Sequence, residues 1–241
     1  MKFLKPNPFH GFTQDLRLSL ARHPRAFYGF LRLFGQPINI VGEETEIVIE
    51  GFPRCANGFF VRLFQFAQGA TVPPRLIAHH QHSVAQIIEG VRRSLPTVLL
   101  VRDPQDVVIS LQTFCYQAFD MRRKEDAALA PDRILNRYIQ FHSHAMKFKE
   151  DMVVSDFEDT VKKPNRTIER INQKFRKTYK GVEDLQMMAQ LVFSKSPERV
   201  RPDRVRDEYK VMFGEEFEAT ASRDKLAEAR KIYRRLLGEG E

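Results

Sequence analysis

Alternating strand and helix patterns predict an α/β fold, a three-layer sandwich with a central, mainly parallel sheet between helical layers. Three observations carry that expectation. Short aliphatic runs recur as TEIVIEGF, PRLIAHH, TVLLVRD and DMVVSDFED. Amphipathic stretches at helical spacing separate them. TVLLV is apolar throughout, as a strand covered on both faces should be.

The elements follow in order. Residues 13–34 carry Leu16, Leu20, Phe27, Phe30, Leu31 and Phe34 in an amphipathic pattern, broken at Pro24 and stopped by Gly35. Two short helices packed on the domain fit this pattern. The segment is basic and rich in Phe, so peripheral membrane contact through 13–34 stays open. The first strand ends in FPRCANG, and residues 58–68 form an apolar helix with Arg62, Gln65 and Gln68 on one side. PRLIAHH is a second strand. Ser83 caps a helix striped by Val84, Ile87, Ile88 and Val91.

After TVLLVRD, Asp103 and Pro104 supply an N-cap and a first helical residue. Val107, Val108, Leu111, Phe114, Cys115 and Ala118 then face inward. Pro131 opens a helix carrying Ile134, Tyr138, Phe141, Ala145 and Phe148. DMVVSDFED is the fourth strand. A helix from Pro164 carries Ile168, Ile171 and Phe175 and is expected to end at Gly181. Residues 182–193 and 223–237 are further amphipathic helices. No repeat or low-complexity linker divides the 241 residues, so one domain is expected, with 1–44 packed on it as a helical segment.

The chain holds 39 Lys and Arg against 31 Asp and Glu, a net charge of +8, with a pI near 9.6. That balance favours an anionic ligand, a nucleic acid or an acidic membrane surface. No recognition helix or aromatic RNA platform accompanies it, so no nucleic-acid partner is expected. The two cysteines, Cys55 and Cys115, cannot build a disulfide framework and point to a reducing compartment. MKFLKPNPFHGF lacks an apolar core for a signal peptide, and no apolar run approaches the roughly 20 residues of a membrane span. A cytoplasmic location is expected.

In a parallel sheet, ligands sit beyond the carboxyl ends of the strands. This sequence places FPRCANG, HHQH and RDP there. Gly51 and Gly58 permit tight turns, and the amides of Cys55, Ala56, Asn57, Gly58 and Phe59 can face an anion at a helix N-terminus. Arg54 adds a fixed positive charge. Arg102 ends the third strand, and Ser110 lies about 9 Å along the next helix from Pro104, so this pair can hold a second phosphate. An ordinary strand–helix connection with an incidental Arg reads the same way locally. No Lys-Ser/Thr pair closes the first loop, which disfavours a P-loop kinase or other NTPase.

EGFPRCANGFF followed by LPTVLLVRDPQDVVISL resembles the two signature segments of the sulfotransferase family, whose donor is 3′-phosphoadenosine-5′-phosphosulfate. The similarity is good over 45–60 and 95–115. It is looser over 151–175, where the family strand ends at an aromatic–acidic pair. RDPQDVVIS is its specific part. The resemblance implies a P-loop-like sulfotransferase fold and sulfuryl transfer to an acceptor hydroxyl or amine of a carbohydrate, lipid or small molecule. It implies a phosphosulfate site at Arg54 and residues 55–59, and a 3′-phosphate site at Arg102 and Ser110. A late basic loop would add Arg199 and Arg201, and no metal is needed.

Cys55 and Gly58 stand where the family usually has hydroxyl residues. Each lost hydrogen bond to a charged group costs ~1.5–3 kcal/mol. A degenerate member that binds nucleotide or a partner without catalysis is therefore the alternative. An imidazole near neutral pKa suits the proton transfer. His80 is nearest the family's base position, and His79 and His82 are one slip away.

Overall fold

The structure, a computed structural model, describes residues 16–34, 38–69, 72–119, 129–194 and 204–239. Arg199, Arg201 and residues 13–15 lie outside them, as does the side chain of Ala118. Four parallel strands make one sheet: β1 (Ile47–Gly51), β2 (Ile77–His79), β3 (Thr97–Val101) and β4 (Val153–Asp156), in the order β2-β1-β3-β4. Register is fixed by Ile49 opposite His79 and Val98, and by Leu100 opposite Ser155.

Helices cover both faces. α1 (Pro24–Phe34) and α2 (Asn57–Gln68) flank β1 in the chain, and α3 (Val84–Arg92) follows β2. α4 (Pro104–Phe119) follows β3, and α5 (Pro131–Ala145) precedes β4. α6 (Phe157–Lys162), α7 (Pro164–Phe175), α8 (Leu185–Ser194), α9 (Arg204–Thr220) and α10 (Arg223–Leu237) complete the order. Among the described residues no helix is long and apolar enough to cross a membrane.

Alternation along β1 sends Ile47 and Ile49 to the α2 face, and Val48 and Glu50 to the α3 face. Ile47, Ile49, Leu99, Phe60 and Phe64 are fully buried, each worth about 1.5–3 kcal/mol of transfer free energy. Pro24 starts α1, and residues 16–20 form a separate helical turn, so the segment is broken at Pro24. Phe27, Tyr28 and Leu31 bury α1 against the core, while Leu33 and Phe34 stay exposed.

Four local expectations differ from what is observed. Pro74–Leu76 is a 3₁₀ turn ahead of β2, because two prolines fix the backbone away from a ladder. β3 ends at Val101, one residue before Arg102. β4 stops at Asp156, whose carboxylate accepts the Glu158 amide and starts α6 at Phe157, so an aromatic–acidic pair does not end the strand. α7 ends at Phe175, not Gly181, with Arg176 left-handed and Asn172 clasping Tyr179 from both sides.

Candidate functional site

β1 runs directly into a turn that only glycine can open. A Cβ on Gly51 would lie 2.5 Å from the Leu100 carbonyl oxygen and 2.8 Å from Asn57 Oδ1. Asn57 is buried and clips the turn by donating from Nδ2 to the Phe52 carbonyl at 2.9 Å. Arg54 and Ala56 are both left-handed, with φ of 74° and 63°. Such residues, spaced through a turn, direct successive amides to one side. The first helical bond of α2 runs from the Phe60 amide to the Ala56 carbonyl. The amides of Asn57, Gly58 and Phe59 therefore precede the helix's own bonding and point beyond its N-terminus.

Arg54 lies across this opening. Its Nε donates to Ser110 Oγ at 3.1 Å, and its guanidinium sits 4.8 Å from the Phe114 ring centre. Arg102 follows β3, donates to the Arg54 carbonyl at 3.4 Å and stacks on Phe157 at 4.1 Å. The Tyr138 hydroxyl anchors its backbone by donating to the Arg102 carbonyl at 2.8 Å. Arg102 also pairs with Asp106 at 3.3 Å.

Sequence reasoning missed a third cation, Arg206 on α9. Burial, then the charges of Arg206 and Arg102, bring the Arg54 guanidinium down to about 10. Among the described residues no carboxylate oxygen lies within 4.0 Å of Arg54. The structure thus gathers Arg54, Arg102 and Ser110, predicted from two separate segments, and adds Arg206. Only the run of basic residues after 195 hinted at that addition.

Not every predicted loop residue faces the opening. Cys55 is fully buried, and its burial pushes the thiol up to about 12, so it offers no nucleophile. Its amide turns back to the Phe52 carbonyl at 3.3 Å. Ala56 is half-buried as the residue before α2, and Phe59 packs on Phe193 with ring centres 5.8 Å apart.

The loop after β2 brings in the imidazoles. His80 and His82 are left-handed, with φ of 60° and 49°. Four of the seven non-glycine residues with positive φ among those described lie in these two loops, so backbone strain concentrates at this sheet edge. His80 Nε2 would be 3.4 Å from a Cβ on Gly58, which places the imidazole against the first turn of α2. His79 Nδ1 and His80 Nδ1 share a hydrogen bond at 2.5 Å. His82 Nδ1 donates to the Gly51 carbonyl at 2.8 Å and ties the second loop to the first.

Burial, then neighbouring imidazoles, holds His79 and His80 below the ordinary histidine value, with Arg62 adding to the effect at His80. Burial lowers His82 to about 4, with the Arg17 and Arg54 charges contributing. All three are neutral at pH 7, and the same lowering makes each a weaker base than the near-neutral imidazole expected for the proton transfer. Among the described residues no group of His, Cys, Asp and Glu side chains is arranged to hold a metal ion.

Glu50 also escaped sequence reasoning. It was legible as the one acid inside an apolar strand, and it is fully buried beside His82. No protein-family model matches this chain, and no curated protein matches it either.

Proposed function

We propose that the chain is a sulfotransferase, moving a sulfuryl group from 3′-phosphoadenosine-5′-phosphosulfate to an acceptor hydroxyl or amine. One observation carries this reading. Arg54 and Arg102 converge with Ser110 at the N-terminus of α2, with the Arg206 charge acting on Arg54, beside neutral imidazoles. Guanidiniums brought together repel one another, and a polyanion bound between them removes that repulsion. The neighbouring imidazoles supply the proton acceptor that a neutral hydroxyl needs as it attacks sulfur.

In this scheme Arg54 and the amides of residues 57–59 hold the phosphosulfate and stabilise charge growing on the leaving phosphate. Arg102 and Ser110 hold the 3′-phosphate, and the Arg206 charge acts on Arg54 from α9. His80, pressed against Gly58, takes the acceptor's proton.

A second reading is a degenerate domain that binds the nucleotide or a partner without transfer. The absence of a hydroxyl at Gly58 and the inward burial of Cys55 favour it, because the cradle then rests on backbone amides.

Calorimetry with adenosine 3′,5′-bisphosphate, and separately with ATP and magnesium, tests both. Wild type is expected to bind the bisphosphate in preference to ATP, and Arg102→Ala to lose affinity about 10- to 100-fold. Bisphosphate binding indifferent to Arg102 overturns the donor reading. Binding without transfer from labelled donor to an acceptor panel selects the degenerate one.

A further inference from the structure

Glu50 lies one residue before the turn, on the α3 face of β1, with no exposed surface. Its Oε1 accepts the Gly51 amide at 3.2 Å, and its Oε2 accepts the Gln81 amide at 3.0 Å. Both partners give a hydrogen, an arrangement that suits the carboxylate. Burial works in the opposite direction and pushes Glu50 up to about 8. The side chain is held between its two protonation states.

The group that can settle that balance is His82. Its Nδ1 is 3.9 Å from Glu50 Oε1. A carbonyl only accepts, so the bond to the Gly51 oxygen keeps the hydrogen on Nδ1 and leaves the lone pair on Nε2. Protonation of Nε2 would set an imidazolium charge beside a buried carboxylate. About a third of the His82 side chain meets solvent, so the pair has a way out for a proton.

We propose that Glu50 and His82 form a coupled pair that holds one proton between them and serves as the proton reservoir of the site. Other charged and titratable groups face it from each neighbouring element. Arg17, in the helical turn 16–20, donates to the Gln81 carbonyl and Oε1 at 3.5 and 3.3 Å, and its charge reaches Glu50. Tyr28 of α1 lies nearby, with Glu89 of α3 and Arg93, just after that helix, acting on it. Arg54 acts on His82 from the first loop, and His79, His80 and Arg62 complete the surroundings.

Gln86 sets the contrast. It is equally buried on α3, yet it accepts from Tyr28 Oη and the Val41 amide and donates to the Asn39 carbonyl. A neutral amide pins that region. Only the carboxyl beside His82 can exchange a proton.

The use of this proton rests on the sulfuryl-transfer reading. The acceptor O–H bond breaks as an O–S bond forms. The S–O bond to phosphate breaks with its electron pair leaving on the bisphosphate. The proton enters through the imidazoles and comes to rest on the Glu50–His82 pair in its unprotonated state, carboxylate beside neutral imidazole. A pair that already holds its proton first releases it to water through the solvent-exposed part of His82. Glu50 is thus a positioning residue.

Glu50→Gln tests the pair while keeping the side chain's shape and the Oε1 acceptor. Long-range ¹H–¹⁵N spectra should show His82 of the wild type titrating in two coupled steps. In the variant His82 should titrate once, with its midpoint lowered by about 1–3 pH units. Identical His82 titrations in the two proteins overturn the pair.

Bisphosphate affinity, measured alongside, should stay within about twofold, since Glu50 lies outside the anion cradle. No bisphosphate binding by either protein, with the His82 shift intact, overturns the donor reading and leaves the pair standing. Should Glu50→Gln fail to fold, His82→Asn keeps a donor for the Gly51 carbonyl. The infrared carboxylic-acid band of Glu50 should then titrate once, at higher pH than in wild type, and an unmoved band overturns the pair.

Discussion

In the loop after β1 the left-handed residues are Arg54 and Ala56; in the loop after β2 they are His80 and His82. Both loops leave adjacent strands at the same sheet edge, and the His82–Gly51 hydrogen bond joins them. Their chemistry differs. The first gathers guanidiniums that stay charged at any working pH. The second gathers imidazoles that are held below the ordinary histidine value and so are neutral at pH 7. Strain of similar kind thus positions fixed charge on one side and movable protons on the other, with the Arg54 charge and the His82–Gly51 bond as the links between them.

The comparison breaks most completely at the shared hinge. Gly51→Ala would drive a Cβ to 2.5 Å from the Leu100 carbonyl, a backbone atom held in the sheet. A loss of about 3 kcal/mol of stability is expected, read as a lowered denaturant midpoint with an unchanged slope. Wild-type stability in that variant would mean that the loop and β3 are not packed as described. Arg54→Ala comes next and acts chiefly on the first loop, with the His82 midpoint rising as a neighbouring charge is lost. Bisphosphate affinity should fall about 100-fold, near 2.7 kcal/mol, as a charge-assisted contact is lost. The imidazole titrations of the second loop should keep their order.

Much of this arrangement was legible in the sequence for a physical reason. Strand ends are marked where an apolar run meets Arg, His or Gly, and a parallel sheet brings such ends together. FPRCANG, HHQH and RDP could therefore be assigned to one edge from the sequence alone. Side-chain direction was not legible. Cys55 and Arg54 are neighbours in the turn, yet one is buried in the core and the other lies across the opening, because left-handed φ at Arg54 and Ala56 reorients the chain. Arg206 was hidden differently. Its charge acts on Arg54 from α9, about 150 residues later, and no local pattern announces such a pairing. Glu50 was visible as an acid in an apolar strand, but its partner His82 depended on the conformation of the second loop.

The pH dependence of stability separates the loops next. The histidines' folded values lie below their ordinary 6.5, so their contribution is present above pH 6.5 and is lost as pH falls toward 4. Glu50 is raised from 4.5 to about 8, so the stability linked to its bound proton is full below pH 4.5 and is lost as pH rises through 8. Thermal melts should therefore peak between the two limbs. Glu50→Gln should flatten the alkaline limb and extend the acid limb to lower pH, because the His82 midpoint falls. An alkaline limb unchanged in that variant would assign it to other groups.

The smallest expected effect concerns the two departures from the sulfotransferase-like loop pattern, and it distinguishes them. A Cβ at Gly58 would stand 3.4 Å from His80 Nε2, an ordinary van der Waals approach, and its side chain would sit where the amides of α2 open. Gly58→Thr should therefore add one hydroxyl to the cradle, tightening bisphosphate binding by about 3- to 10-fold, near 1 kcal/mol. Cys55→Ser puts its hydroxyl into the core, where the thiol is fully buried. It should leave affinity within about twofold while lowering stability by about 1–2 kcal/mol, the cost of a buried hydroxyl with poor partners. The pair of measurements assigns the thin point of the loop. If Cys55→Ser tightened binding and Gly58→Thr did not, the side chain at 55 would have to turn toward the anion, and the left-handed geometry at Arg54 and Ala56 could not be the one that binds.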